Sequence, residues 1–541
     1  MNYDELKASI KTVNPKRLAE NEDIFSDFYE DMKKIHQLSA VNGGKVHIFS
    51  DYDADGICSA LILKKIFPTA EVHINDRYKN GYSIANDIPV GKFDLIITSD
   101  IGSASKDFDT IVEYSKITGV GAFIIDHHEI EEEIMTEYPR LLNFKSEKEN
   151  RPDYCATGLA YKLYEQYYLA EDLDDIKELN TVKALACIGT VGDMVNVNNE
   201  FDDNRDIIKE GFEIINNVDY DENGNLNIDE GLAYLLSDKV SDFVTSHEIG
   251  FNVVPVLNAG SRVLENENGG QFVFDTLAMS PDNPEMYSRI DRMVEINDVR
   301  KADCKDIYQS EEFKKAIQTT DNVCIFISDR IKKGYTGLVA GELVKKTGKP
   351  SICLADCTHS FEGSGRNAEG YPSILDKCKV NEAISNDKYK IGGHKDAMGM
   401  TIPADRIDYF TKQVVSNYKD VVKETVEKDF FTGDMNLEQY RSLEPYGTGF
   451  PRPFVEKTIT VQNKNEMGTL TNDKGQRVMA KVVSDKITYT TFADGDKFNK
   501  GDTIKVRGEI CDNTYNGKTT LQVTISELEN LSGREDLKLG R

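Results

Sequence analysis

The chain has 541 residues, a formal net charge of −28, and 39% hydrophobic and 29% charged residues. This length exceeds one ordinary hydrophobic core and predicts two to four domains, and the composition is that of a soluble globular protein. No stretch approaches the roughly 18 uninterrupted apolar residues of a membrane span, and the polar, acidic start MNYDELKASIKTVNPKRLAENED is not expected to be a secretory signal. Nine cysteines without CxxC pairs argue against a disulfide framework or thiolate zinc site and fit a reducing cytoplasm. The acid excess argues against a polyanion partner only as a whole-chain average. A local basic track decides nucleic-acid binding, and divalent ions would offset part of an acidic cluster.

In chain order, the first informative stretch is KVHIFSDYDADGICSALILKKIF. A β-prone run leads into apolar residues at helical spacing. Asp51, Asp53, Asp55 and Gly56 lie in the turn between them, and in extended backbone the three aspartates share one side. INDRYKNGYSI follows with Arg77 and Tyr82. FDLIITSDIGSAS ends an apolar strand in Asp100, and GAFIIDHHEI ends another in Asp126, His127 and His128. ALACIGTVGDMVNV brings Asp193 in a Gly-bounded turn after a further apolar segment. FDTIVEYSKITG and ATGLAYKLYEQYYLAE read as helices. This alternation predicts an α/β fold, a parallel sheet with helices on both faces, whose strand ends bring all four acidic clusters to one edge. Carboxylates at this density repel one another. A divalent cation relieves that repulsion, and an oxygen-rich set with imidazole suits Mn²⁺ or Mg²⁺ better than zinc.

Further along, NVVPVLNAGSRVL carries Asn258 and Arg262, and MYSRIDRMVEINDVRKADCKDIYQ predicts a long connecting helix. NVCIFISDRIKKGYTGLVAGELVKKTGKPSICLA reads strand, loop, helix, strand. FEGSGRNAEGY supplies Ser364 and Arg366, and KIGGHKDAMGMTI supplies Gly392, Gly393 and His394 in a turn whose backbone N–H groups can approach an anion. After LEQYRSLEPYGTGFPRPFV, five short strands (KTITVQN, RVMAKVVS, ITYTTFA, DTIKVRGEI, TTLQVTISEL) suit a small barrel, followed by the tail NLSGREDLKLGR. The domains expected are 1–283, a connecting helix at 284–320, 321–428 and 429–541.

DYDADG, SDIG, DHH and GTVGD, in this order, resemble the four motifs of the DHH phosphoesterase superfamily. The arginine of INDRYKNGYSI, the NAGSR and GGH segments and the final strands are similar to the RecJ branch, which pairs a DHH domain with a DHH-associated domain and an OB-fold barrel. The resemblance covers nearly the whole chain after about residue 40. It implies a metal-dependent, single-strand-specific 5′-to-3′ exonuclease that releases 5′-mononucleotides in recombination and repair.

By the same resemblance, Asp53 and Asp100 hold a first ion, and Asp55, Asp100, His127 and Asp193 hold a second, with Asp100 bridging. Asp51 and Asp126 stand behind these ligands, Asp126 orienting His127. His128, Asp55 and His394 carry catalysis. Arg77, Tyr82, Ser364 and Arg366 take the 5′ end, while Arg262 and the Gly392-Gly393-His394 loop hold the scissile phosphate. Many relatives have a histidine four residues before the first metal aspartate; Phe49 stands there instead and leaves that ion one ligand short. The expected state is a monomer acting on single-stranded DNA, away from membranes, with partnership to a single-strand DNA-binding protein left open. A small-oligonucleotide or cyclic-dinucleotide phosphodiesterase is the alternative enzyme, against which the last domain argues. A non-catalytic DHH scaffold is the other class, against which the retained ligands argue.

Overall fold

Strand Val46–Ser50 (β1) is buried along its whole length, as a central strand of a covered parallel sheet must be. A computed structural model describes the chain except residues 82, 85–87, 89–93, 104, 119–120, 131–139, 147–149, 221–225, 242, 380–388, 394, 425–428, 462–466, 472–476, 485–486, 492–500, 516–517 and 533–541. It divides into two compact units: Val13–Val195 with Asn199–Val426, and Met1–Thr12 with Asn196–Asn198 and Glu427–Arg541.

In the larger unit, β1 is joined by Glu71–Ile74 (β2), Leu95–Ser99 (β3), Ala122–Ile125 (β4) and Leu141–Leu142 (β5) in a parallel sheet of order β2-β1-β3-β4-β5. Helices cover both faces, as the alternation predicts. Phe108, Ile111 and Tyr114 of the helix Ser105–Thr118 pack on Phe49, Ile96, Ala122 and Ile124. On the opposite face, Phe28 of the helix Pro15–Val41 meets Phe123 edge-to-face at 5.3 Å.

The expected connecting helix is Met286–Gln309, followed by a short helix Glu311–Ala316. Beyond it lies a mixed sheet built from Cys324–Ser328 (β6), Ser351–Asp356 (β7), Ser360–Arg366 (β8), Lys390–Gly393 (β9) and Ala397–Pro403 (β10). Its order is β6-β7-β8-β10-β9, parallel at β6–β7 and antiparallel elsewhere.

The smaller unit holds a six-stranded sheet of order β11-β15-β16-β14-β13-β12: Phe454–Thr460 (β11), Met467–Thr471 (β12), Arg477–Ser484 (β13), Ile487–Thr491 (β14), Thr503–Tyr515 (β15) and Lys518–Asn530 (β16). This corrects the count of five. Met467–Thr471 (MGTLT) is short, carries a glycine at its second position and has only Met467 and Leu470 as apolar residues, three apart, so no strand alternation marks it. The last two strands are also longer than expected, 13 residues each. Met1–Thr12 goes with this unit by contact. The Met1 ammonium donates to the Phe430 carbonyl at 2.9 Å, and the Tyr3 and Ser442 hydroxyls are 3.0 Å apart.

Candidate metal and phosphate site

β1, β3 and β4 each deliver an aspartate at the residue after the strand: Asp51, Asp100 and Asp126. Asp53 is the N-cap of the helix Ala54–Ile66, its carboxylate accepting the N–H groups of Asp55 and Gly56 at 3.0 and 3.3 Å. The expectation of one extended run therefore needs correcting: Asp55 sits in the first helical turn. Gly56 is required where it stands, because a Cβ there would lie 2.4 Å from the Asp51 carbonyl oxygen. Asn258 holds the same helix start, its side-chain oxygen accepting the Ala54 N–H at 2.7 Å.

Asp55 is buried, and its two carboxylate oxygens accept the N–H groups of Ala156 and Thr157 at 2.9 and 2.8 Å. These are orphan donors at the start of the helix Ala156–Ala170, where a negative charge is favoured. Asp193 requires a second correction. It follows no strand but caps the C-terminus of the helix Ile176–Gly192.

His127 gathers these groups. Its Nε2 lies 3.1 Å from Asp100 Oδ1 and 3.6 Å from Asp55 Oδ2, and its Nδ1 lies 3.6 Å from Asp193 Oδ2. Asp126 accepts the backbone N–H groups of Ser103 and His127. The ring it holds, however, is that of His128, whose Nδ1 is 2.7 Å from Asp126 Oδ1, rather than the expected His127. Burial pushes the Asp126 carboxyl up, but His128 and its hydrogen bond outweigh this and hold it well below the usual carboxylate range. The same pairing raises the His128 imidazole against the opposing effect of its own burial.

The remaining carboxyls shift the other way. Burial, then repulsion from Asp55 and Asp53, pushes Asp100 well up. Burial and Asp53 do the same to Asp51, whose Oδ1 is buried without a hydrogen-bond partner. Burial, Asp55 and Asp53 raise Asp193. Desolvated carboxylates that repel one another, with an orphaned oxygen among them, are what a divalent cation would relieve, and the donor set is the oxygen-rich, imidazole-bearing one that Mn²⁺ and Mg²⁺ take. Ligand atoms of Asp51, Asp53 and Asp100 lie within 4.8 Å of one another, as do those of Asp100, Asp126, His127 and His128, and those of Asp55, Cys155 and Asp193. Burial pushes the Cys155 thiol well up, so it remains protonated and the carboxylates are the better donors. Phe49 is 1% exposed and offers no ligand atom.

Beside the acids lies a cationic cluster in this strongly acidic chain. Arg77 opens the short helix Arg77–Asn80 and stacks over Tyr52 at 5.1 Å. Arg262 comes from the helix Val254–Val263, Arg366 from the end of β8 and Arg300 from the connecting helix. Part of each residue is accessible, yet the surrounding protein desolvates Arg262. Burial pulls its guanidinium down to about 10; Arg77, Arg300 and Arg366 pull the same way, and Asp53 opposes them. Burial and then Arg77 lower Arg366. The Ser364 hydroxyl, also on β8, is 3.1 Å from that of Thr336. Clustered guanidiniums are unfavourable until an anion joins them, and phosphate is the anion that paired N–H donors fit.

The fold thus brings Asp51, Asp53, Asp55, Asp100, Asp126, His127, His128 and Asp193 together, with Arg77, Arg262 and Arg366 alongside. Gly392 and Gly393 lie in β9, whereas Tyr82 and His394 lie outside the described residues. Reading the sequence missed Arg300, Thr157 and Cys155. A helical Arg300 in NDVRKAD resembles any solvated arginine, and the helix Ala156–Ala170 is capped by Cys155, which is not among the Ser, Thr, Asp and Asn caps that mark a helix start in sequence.

Residues 45–190 match the family described as DHH family, N-terminal domain, and residues 432–527 match the RecJ OB domain. The single-stranded-DNA-specific exonuclease RecJ of Bacillus subtilis (strain 168) is 24% identical over 516 residues, covering 89% of this chain and 61% of that protein. The chain thus spans about three-fifths of that relative. A putative SPbeta prophage-derived single-strand DNA-specific exonuclease, YorK, of the same strain is 25% identical over 537 residues, covering 90% of this chain and 88% of its own. The crystal structure of RecJ in complex with Mn²⁺ from Thermus thermophilus superposes with a TM-score of 0.72 at 19% identity, over 93% of this chain and 71% of that one.

Proposed function

We propose that this chain, with its DHH domain and RecJ OB domain, degrades single-stranded DNA from the 5′ end to 5′-mononucleotides in recombination and repair, using Mn²⁺ or Mg²⁺. The observation that carries the reading is the adjacency of two opposite clusters: Arg77 stacks over Tyr52, the residue between Asp51 and Asp53, and Arg262 is within electrostatic reach of Asp53 as well as of Arg77, Arg300 and Arg366. A nuclease needs both, one to supply the chemistry and one to hold phosphate. Relatives named as single-strand-specific exonucleases and the OB domain favour a long strand over a dinucleotide as substrate.

Asp53, Asp55, Asp100, His127 and Asp193 would hold two ions, with Asp100 shared. Divalent ions there supply Lewis acidity and a lowered pKa for the attacking water. The chain's own residues do the rest. Asp126 fixes the His128 ring so that His128 can donate to a phosphate oxygen. Arg262 neutralises the scissile phosphate, and a carboxylate of the cluster, Asp55 in the reading from sequence, takes the proton. Arg77, Ser364 and Arg366 hold the terminal phosphate, which is how an end is told from an interior bond.

The test is digestion of single strands labelled at either end, as DNA and as RNA, in Mn²⁺ and in Mg²⁺. Mononucleotides appearing first from the 5′ label are expected. Release from the 3′ label first, or turnover of cyclic dinucleotides with none of long strands, would overturn the proposal.

A further inference from the structure

Away from the strand ends, a second set of ligand-type side chains occurs near the beginnings of β1 and β2. In the parallel register His47 faces Glu71, and Phe49 faces His73. The strand period of two puts all four side chains on one face at the edge of the sheet. His47 Nδ1 lies 3.1 Å from His73 Nε2 and 3.6 Å from Glu71 Oε2, and one ligand atom from each of the three lies within 4.8 Å of the others. A tetrahedral ion with bonds of roughly 2.0–2.2 Å holds its ligands about 3.3–3.5 Å apart, so the spacing is that of a shared ion.

The supporting contacts match such a site. Asp94 Oδ2 stands 3.4 Å from His47 Nε2, while the other Asp94 oxygen accepts the Lys45 N–H at 2.9 Å. Lys45 Nζ engages Glu71 Oε1 and leaves Oε2 toward the imidazoles. Phe49 stacks on the His73 ring at 4.8 Å and fixes its plane. His47 is 4% exposed, and its Nε2 makes no hydrogen bond. Facing a carboxylate, that nitrogen is best placed to carry the ring hydrogen. Nδ1 then presents its lone pair to His73 and Glu71. A ligating imidazole with a carboxylate behind its other nitrogen is the usual support for a protein-bound metal.

We infer that His47 Nδ1, His73 Nε2 and Glu71 Oε2 form a second metal site, distinct from the acidic one and selective for Zn²⁺ or a similar transition ion. Two imidazoles and one carboxylate favour such an ion, whereas Mn²⁺ and Mg²⁺ prefer the oxygen-rich cluster. Bound there, the ion clasps edge strand β2 to β1. Because β2 runs into Asp76 and Arg77, the clasp steadies the start of the segment that carries Arg77.

The experiment uses the full chain, stripped with chelator and dialysed, and titrated with Zn²⁺ against a chromophoric competitor. Asp100→Asn, His73→Gln and Glu71→Gln are measured alongside. Wild type should bind one more equivalent of Zn²⁺ than His73→Gln, and Zn²⁺ should still raise the Tm of Asp100→Asn but not that of the Asp100→Asn/His73→Gln double variant. Glu71→Gln, at an exposed edge position that tolerates substitution, should weaken the extra equivalent roughly tenfold or more, and it serves as the reporter if His73→Gln does not fold. Hydrolysis in excess Mn²⁺ should persist in His73→Gln and in Glu71→Gln. Equal Zn²⁺ equivalents and affinities in wild type, His73→Gln and Glu71→Gln would overturn the site and leave the two imidazoles sharing only a proton.

Discussion

Asp55 and Thr157 are joined twice: the Thr157 N–H donates to the Asp55 carboxylate at 2.8 Å, and the Thr157 hydroxyl donates to the Asp55 backbone carbonyl at 2.8 Å. The pair locks the first turn of one helix to the first turn of another, inside the acidic cluster. Thr157→Val keeps the shape and deletes the second bond, leaving the Asp55 carbonyl only its helical partner. Urea unfolding should show a loss of about 0.5–1.5 kcal/mol. Gly189→Ala attacks the same joint from the helix Ile176–Gly192, since a Cβ at 189 would lie 2.1 Å from Thr157 Oγ1. It should cost at least about 1–3 kcal/mol as overpacking. Wild-type stability in both variants would show that the joint contributes nothing.

Asp100→Asn should abolish hydrolysis while leaving the chain folded. Asp100 has φ 60°, a conformation that Asn accepts and Ala strains against. Removing one charge from a repelling, buried cluster should leave the chelated protein at least as stable as wild type by thermal melting. The rise in Tm that Mn²⁺ gives wild type should shrink. Near-normal turnover in Asp100→Asn would remove Asp100 from the metal site.

Arg366→Ala should lower the preference for a 5′-phosphate over a 5′-hydroxyl end. One charge-assisted contact is worth about 1.5–3 kcal/mol, so the ratio of kcat/KM on matched strands should fall about tenfold or more. Slow cleavage should continue, because the acidic cluster is untouched. An unchanged ratio would take Arg366 out of the end pocket.

On the proposed function, removing the OB domain should weaken binding of long strands far more than cleavage of short ones, since in that proposal the domain contributes contacts along the strand and no chemistry. A chain of residues 13–426 is the appropriate variant. Residues 1–12 belong to the smaller unit and would be stranded in a simple C-terminal truncation. Retention of long-strand affinity measured by fluorescence anisotropy would assign the domain another role.

The sequence alone determined what is local. An apolar run followed by an acid marks a strand end, so Asp51, Asp100 and Asp126 were legible, as were the long helix and most of the OB strands. Tertiary structure decided whatever depends on which surfaces meet. Asp193 reaches the cluster from a helix C-terminus, because a helix end packed beside the sheet can deliver a carboxylate as readily as a strand can. Asp126 chooses the His128 ring over that of His127 because backbone N–H groups of Ser103 and His127 fix the carboxylate first. The arginines come from four elements spread between residues 77 and 366. No spacing rule links them, since each is placed by the packing of its own element. His47 and His73 are 26 residues apart and become neighbours only through the register of a parallel strand pair. That register is set by burial of the sheet's apolar face, and the sequence around either histidine carries no sign of it.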